Sequence, residues 1–356
     1  MKLPSGRAVI ALGAASALGM LAWVVGSHYA EVRAAAEGMS WGWAAVALVF
    51  ALASHAMGGL ALSAVLRLLG HPLSAPTVLG ISLVSTTANY VVSTGGVSGF
   101  ALKAHLLHKR LVPIATTIVA SALTAVILYA VLAAILTQGL ITLAFRLQGS
   151  RVGLIEGVVG LVVLLCAAGG LIALFLNGRL RNKAARRVFH WTNQAAFRLS
   201  SRQIPAENFM TFERQMAHGL ARIRHERGRL SLAVLYTCLD WGFALISLWM
   251  CFKAVGDPLP LGPLSAVFAV GQGATLIPAL PGGLGAAEGS TAAVLVALGY
   301  DGGRALVAAL LYRVAYYLVP SLLSVLVLWG LKVSEPAVLA EAAAFAKDIP
   351  QLPPVE

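Results

Sequence analysis

Two groups of residues in this chain have the types and spacing to handle a charged ligand in apolar surroundings. The first is Pro278-Ala-Leu-Pro281-Gly282-Gly283-Leu284-Gly285-Ala286-Ala287-Glu288-Gly289. Its prolines and glycines stop one helix, and Ala-rich sequence starts another. Amide groups freed at that second start carry positive partial charge, which favours a phosphate or a carboxylate. Gly282, Gly283 and Gly285 would let the backbone approach a ligand closely; packing at a helix kink is the plainer use of the same glycines. Glu288 comes next, and an isolated carboxylate in hydrocarbon is costly, so it should face the interior with a partner. Arg313, inside the apolar run Ala305–Val327 and beside Tyr312, Tyr316 and Tyr317, is that expected partner. It precedes the last two tyrosines by three and four residues, so all three can share one helix face. Its planar fork suits phosphate or carboxylate. The pair reads equally as a structural bridge or as a substrate or proton site. Asp240, followed by Trp241, is the other deep acidic residue.

The second group is Thr94-Gly95-Gly96-Val97-Ser98-Gly99, followed by Lys103 and His105. Gly95 and Gly96 form the equivalent turn. Lys103 reads either as a contact for an acidic headgroup or as an ordinary positive anchor. His55 is a further ionisable residue inside an apolar run, as a proton carrier or as a packed neutral histidine.

A repeat ties the two groups together. Arg67-Leu-Leu-Gly70-His71-Pro72-Leu73 leads through Pro76 to Gly95-Gly96. Lys253-Ala-Val-Gly256-Asp257-Pro258-Leu259 leads through Pro263 to Gly282-Gly283. The distance from proline to the first glycine is 19 residues in both copies. A repeat in an apolar chain implies a transporter of two related halves, with its site where the halves meet.

Composition fixes the class. Hydrophobic residues make up 59% and charged residues 11% of the 356, against roughly 25% charged in soluble domains. Several runs exceed the ~18 apolar residues of a spanning helix. The expected fold is all-α: a polytopic membrane helix bundle of about six full spans plus two broken or re-entrant helical hairpins arranged as an inverted repeat. The spans are read at roughly 8–29, 42–66, 76–94, 112–145, 152–176, 231–253, 264–280, 286–299 and 304–330. The run Ala8 to Tyr29 is long for a signal peptide and is read as an uncleaved first helix. Cys166, Cys238 and Cys251 lie in apolar runs, with neither metal spacing nor a disulfide framework.

The net charge of +12 is unevenly placed. Between Asn177 and Arg229 twelve basic residues face three acidic ones, a local net charge of +9. Phe189, Trp191, Phe197, Phe209 and Phe212 are interleaved with them. Such a loop is expected on the cytoplasmic side, against anionic inner-leaflet lipids rather than nucleic acid. With this loop inside, 70–111 must start and end on the same side, and 262–302 on the opposite one. The two copies would then point in opposite directions across the bilayer.

Motifs for serine hydrolysis, zinc proteolysis, nucleotide-driven transport and dinucleotide binding are absent. Neither cofactor nor metal is expected, and ATP would not drive transport within this chain.

On Leu280-Pro281-Gly282-Gly283-Leu284-Gly285 with Glu288, then Leu311-Tyr312-Arg313, and on Gly95-Gly96-Val97-Ser98-Gly99, the chain resembles the flippase-like transmembrane domain of lysylphosphatidylglycerol synthases and its stand-alone relatives. The resemblance covers roughly 8–330. The first half departs from it, with Ser93-Thr94 before the glycine pair where a proline is expected. The resemblance implies translocation of lipids between leaflets. The synthases add an aminoacylating domain, for which the tail after Lys332 has no room. The reading is a lipid flippase or transporter of a polar or anionic lipid, non-enzymatic, as a possible homo-oligomer in a bacterial-type inner membrane with both termini cytoplasmic. Residues 1–335 would form a single transmembrane domain, with repeat copies at about 42–145 and 231–330, and 336–356 a short tail. The substrate path would use Glu288, Arg313, the glycine turns, Lys103, Asp240, Tyr312 and Tyr316. A membrane-embedded enzyme or accessory subunit of lipid or glycan assembly, and an ion-coupled exporter of small amphiphiles, are the alternatives.

Overall fold

The computed structural model describes residues 37–91, 97–146, 227–275 and 286–333, together with Tyr29, Arg33, Ala34, Lys183 and Arg187. Among the described residues every regular element is helical. Gly95, Gly96, Gly282, Gly283 and Gly285, most of the loop 177–229, and the expected spans 8–29 and 152–176 lie outside them.

The elements are α1 (Trp41–Leu68), α2 (Ala75–Val91), α3 (Val97–His108), α4 (Ile114–Arg146), α5 (Arg227–Ala254), α6 (Leu261–Thr275), α7 (Ala286–Ala297), α8 (Gly302–Arg313) and α9 (Val319–Val333). A π-helical stretch, Val314–Leu318, joins α8 to α9, so that Gly302–Val333 runs as one 32-residue helix. Trp41–Leu68, Ile114–Gly139, Gly228–Ala254 and Gly302–Val333 are long and apolar enough to cross a membrane. This is a multi-pass membrane protein.

Elements α1 to α4 and α5 to α9 follow one plan: long helix, short broken pair, long helix. α1 and α5 have 28 residues each, and α3 and α7 have 12 each. The same turn ends α1 and α5. Gly70 (φ 85°) and Gly256 (φ 80°) take the left-handed conformation that glycine tolerates. The N–H groups of His71 and Asp257 reach back to the carbonyls of Leu66 and Phe252. The repeat motif is therefore a helix C-terminus followed by proline in the first turn of the next helix, Pro76 in α2 and Pro263 in α6.

Packing between the halves is reciprocal. α2 lies against α9, and α6 lies against α4. α1 and α5 make the largest helix pair and run antiparallel. The Ser40 N–H donates to the Ala254 carbonyl (2.8 Å) at one end. The Ser247 hydroxyl donates to the Ala47 carbonyl (2.8 Å) midway, and Arg229 Nη1 to the Arg67 carbonyl (3.4 Å) at the other end. One buried core gathers the first half of α1, the second half of α5 and α6 to α8. The other gathers the second half of α1 with α2, α3 and α4.

The α2–α3 pair folds back on itself. Asn89 near the end of α2 accepts the Gly99 N–H at 2.7 Å. A Cβ at Gly99 would stand 2.2 Å from the Ser85 carbonyl oxygen, so only glycine lets the two backbones meet there. α3 then returns alongside α2, and Leu106 and Leu107 share a core with Val78, Ile81 and Val84. The stretch 70–111 thus enters and leaves at the same end of the bundle. At about 1.5 Å per residue, α2 is about 25 Å long and α3 about 18 Å, so this is a deep hairpin.

Candidate functional site

Asp301 caps α8, its carboxylate accepting the Arg304 N–H at 2.7 Å. The helix then carries Tyr312 and Arg313 inward, both buried. Glu288 stands in the first turn of α7, where the helix N-terminus favours a carboxylate. Arg313 Nε donates to Glu288 Oε1, and side chains of both residues are about 95% buried. The guanidinium also lies over the Tyr317 ring, 4.2 Å from its centre, where the ring face attracts the cation. Breaking such a pair from one side leaves a charge in an apolar interior.

The tyrosines sort into two columns four residues apart. Arg313 meets Tyr317, while Tyr312 stacks on Tyr316 with centres 5.1 Å apart. Tyr90 of α2 closes on Tyr317 at 4.4 Å, so the first half reaches the second-half site. On the opposite side of Tyr316, the Ser54 hydroxyl bridges the Tyr316 hydroxyl (2.9 Å) and the Asp240 carboxylate. Asp240 therefore joins the tyrosine cluster from α5, with the rings of Tyr316 and Tyr317 between Ser54 and Arg313.

Proline explains the local π-helix. Pro320 has no N–H to offer the Tyr316 carbonyl four residues earlier, and the helix widens over Val314–Leu318. His55 Nε2 lies 3.0 Å from that Tyr316 carbonyl. A carbonyl only accepts, so His55 is the donor and carries its proton on Nε2. π-helical turns recur at functional sites, where they turn side chains and free backbone groups.

A small cavity of about 30 Å³ adjoins the pair, about one water's volume. It is lined by Val267, Phe268, Gly271 and Gln272 of α6, by Glu288 and Thr291 of α7, and by Tyr312, Arg313 and Tyr317. A larger cavity of about 370 Å³ lies in the first half, among α2, α3 and α4, and Lys103 lines it. Among the residues expected from sequence, Glu288, Arg313, Asp240, Tyr312 and Tyr316 come together, and Lys103 stands apart. The glycine turns lie outside the described residues. Sequence reasoning missed Ser54, Tyr90 and Gln272. Pro320, four residues beyond Tyr316, was a readable signal for the freed carbonyl. Nothing local marked Ser54 or Tyr90, which arrive from other helices.

Fold and site define a polytopic helical membrane protein with a buried ion pair at its centre. The chain belongs to the family of the lysylphosphatidylglycerol synthase TM region, whose model matches residues 9–324. A UPF0104 membrane protein of Methanothermobacter thermautotrophicus is 25% identical over 177 residues, 48% of this chain and 50% of that protein. The chain thus spans about half the length of the curated relative it matches.

Proposed function

We propose that this protein moves a polar or anionic lipid between membrane leaflets. The observation that carries the reading is the Glu288–Arg313 pair, buried among tyrosines beside a cavity in an otherwise apolar bundle. Intramembrane ionisable residues are costly and mark substrate or ion paths. Family membership supports a lipid-related role.

The transport mode is an inverted repeat. The antiparallel α1–α5 pair and the reciprocal α2–α9 and α6–α4 contacts support a two-fold axis in the membrane plane. The runs 8–29 and 152–176, outside the described residues, would bring the four candidate spans to six, with 1–335 as one transmembrane domain. Arg67, Arg110, Arg229 and Lys332 gather at one end of the bundle, where Arg110 Nη2 also donates to the Leu331 carbonyl. That end is cytoplasmic by the excess of positive charge, as are the loop 177–229 and both termini. The membrane is a bacterial-type inner membrane. The larger first-half cavity and the small space left beside the second-half ion pair would be one arrangement of an alternating cycle.

The test is lipid transfer in vesicles with leaflet-specific labelled lipids. Wild type is expected to transfer lipid without chemical change. Glu288→Gln, Arg313→Gln removes both charges while keeping hydrogen-bonding groups, and is expected to insert and fold but not transfer. Wild-type transfer by the folded double variant overturns the site; a covalently modified lipid product overturns the transport reading. Cysteine labelling at Ser200 from the periplasm of intact cells would sink the orientation.

A further inference from the structure

We propose that the cavity between α2, α3 and α4 binds a phosphate-bearing anion, with Lys103 as its cation. The cavity is lined by Ser85, Thr86 and Asn89 of α2, Gly99, Phe100 and Lys103 of α3, and Ser121 of α4 among others, with no carboxylate in the lining. Its free polar side chains can all donate. The Ser121 hydroxyl is buried and has no hydrogen-bond partner, an arrangement that costs about 1–3 kcal/mol unless something accepts from it. Asn89 Oδ1 is taken by the Gly99 N–H at 2.7 Å and the Ser98 hydroxyl at 3.3 Å, which leaves its amide NH₂ as the unused end. Lys103, half-buried in the same wall, makes no ion pair or hydrogen bond among the described residues. A cation with uncharged donors around it and no acid beside it matches an anion with several acceptor oxygens.

The second half shows what a neutralised version looks like. Leu111 (φ 62°) and Gly299 (φ 85°) occupy the same left-handed turn, after α3 and after α7. The N–H groups of Val112 and Tyr300 each return to a carbonyl five residues earlier, Leu107 and Leu295. Counted from these turns, Phe100 corresponds to Glu288, Lys103 to Thr291, Ser121 to Ala309 and Ala125 to Arg313, and all eight line the two cavities. In the second half the protein supplies the anion itself, Glu288. In the first half that position is Phe100, and the counter-charge must come from a ligand.

This inference deepens the lipid-transport reading by naming a substrate class and rests on it only for the use of the site. The test is binding of radiolabelled inorganic phosphate to the purified full chain in a maltoside detergent, which carries no phosphate. Short-chain phosphatidylglycerol is then added as competitor. Wild type is expected to bind phosphate. Lys103→Met should weaken binding about ten- to a hundredfold, the worth of a charge-assisted hydrogen bond. Lys103→Arg should retain most of it, and Ser121→Ala should weaken it severalfold without lowering the thermal midpoint. Competition by phosphatidylglycerol assigns the site to a lipid headgroup, and its failure assigns it to free phosphate. No saturable phosphate binding by wild type, or wild-type binding by Lys103→Met, overturns the proposal. If Lys103→Met does not fold, unchanged binding by Ser121→Ala overturns it instead. Lys103-dependent phosphate binding in a protein that transfers no lipid would sink the transport reading alone.

Discussion

In the first half, Lys103 lines a cavity of about 370 Å³ with no acid among its described lining residues. In the second, Arg313 is closed on by Glu288 and Tyr317 beside a space of about 30 Å³. The two hairpins share the length of their second helix, turn geometry and the register of their lining residues. Counted from the shared turn, the two linings differ at four positions: Phe100 against Glu288, Lys103 against Thr291, Ser121 against Ala309 and Ala125 against Arg313. One plan can therefore hold a cation paired from within, Arg313, and a cation with no ion pair among the described residues, Lys103. Burial makes the distinction sharp, because an unpaired charge is tolerated only where water or a ligand reaches it.

The largest expected effect tests the satisfied site. Glu288→Gln or Arg313→Gln alone should cost about 3–5 kcal/mol of stability, on the scale of breaking a buried pair in soluble proteins. Folded yield and thermal midpoint in detergent measure it. The double variant should recover much of the loss. In the first half, Lys103→Met should leave stability near wild type, since it breaks no pair. Equal losses at the two places would erase the contrast.

The hairpins should also differ in tolerance of added bulk. At Gly99 a Cβ would meet backbone at 2.2 Å, whereas at Gly271 it would meet only the Thr291 hydroxyl at 3.2 Å. Gly99→Ala is therefore expected to cost about 1–3 kcal/mol by overpacking, with Gly271→Ala close to neutral. Matched thermal melts of the two variants are the measurement; a harmless Gly99→Ala would show that the first hairpin is looser than its geometry.

Ser54→Ala probes the link between halves. It leaves the Asp240 carboxylate and the Tyr316 hydroxyl without their bridge, and is expected to cost about 1–3 kcal/mol. Adding Asp240→Ala should then cost less than Asp240→Ala does in wild type, a coupling readable in a double-mutant cycle.

The smallest effect concerns the shared turn. Leu111 is held at φ 62° where the second half has glycine, and it is exposed. The left-handed conformation costs a residue with a Cβ about 1–2 kcal/mol, partly offset by glycine's greater freedom in the unfolded chain. Leu111→Gly should stabilise by up to about 1 kcal/mol, and Gly299→Leu should destabilise. A loss from Leu111→Gly would mean that the leucine side chain makes contacts that outweigh the backbone strain.

The sequence by itself determined the class and much of the plan. Low charge and long apolar runs leave only a helical membrane protein, since backbone groups in lipid must bond internally. The recurring Gly-x-Pro-Leu passage fixed two identical helix ends, because glycine and proline act on the chain locally. The cost of a lone charge in hydrocarbon made Arg313 the expected partner of Glu288 across 25 residues before any contact was known. Tertiary structure alone decided the rest. Ser54, His55 and Tyr90 reach the tyrosine cluster from α1 and α2, helices whose angles and offsets depend on packing across the whole bundle. Pro320 accounts locally for the π-helical turn, but the His55 that meets the freed Tyr316 carbonyl arrives from α1. Only the fold showed that the two halves, alike in pattern, enclose spaces of unlike size and charge balance, because cavity volume depends on how several helices pack and no single segment encodes it.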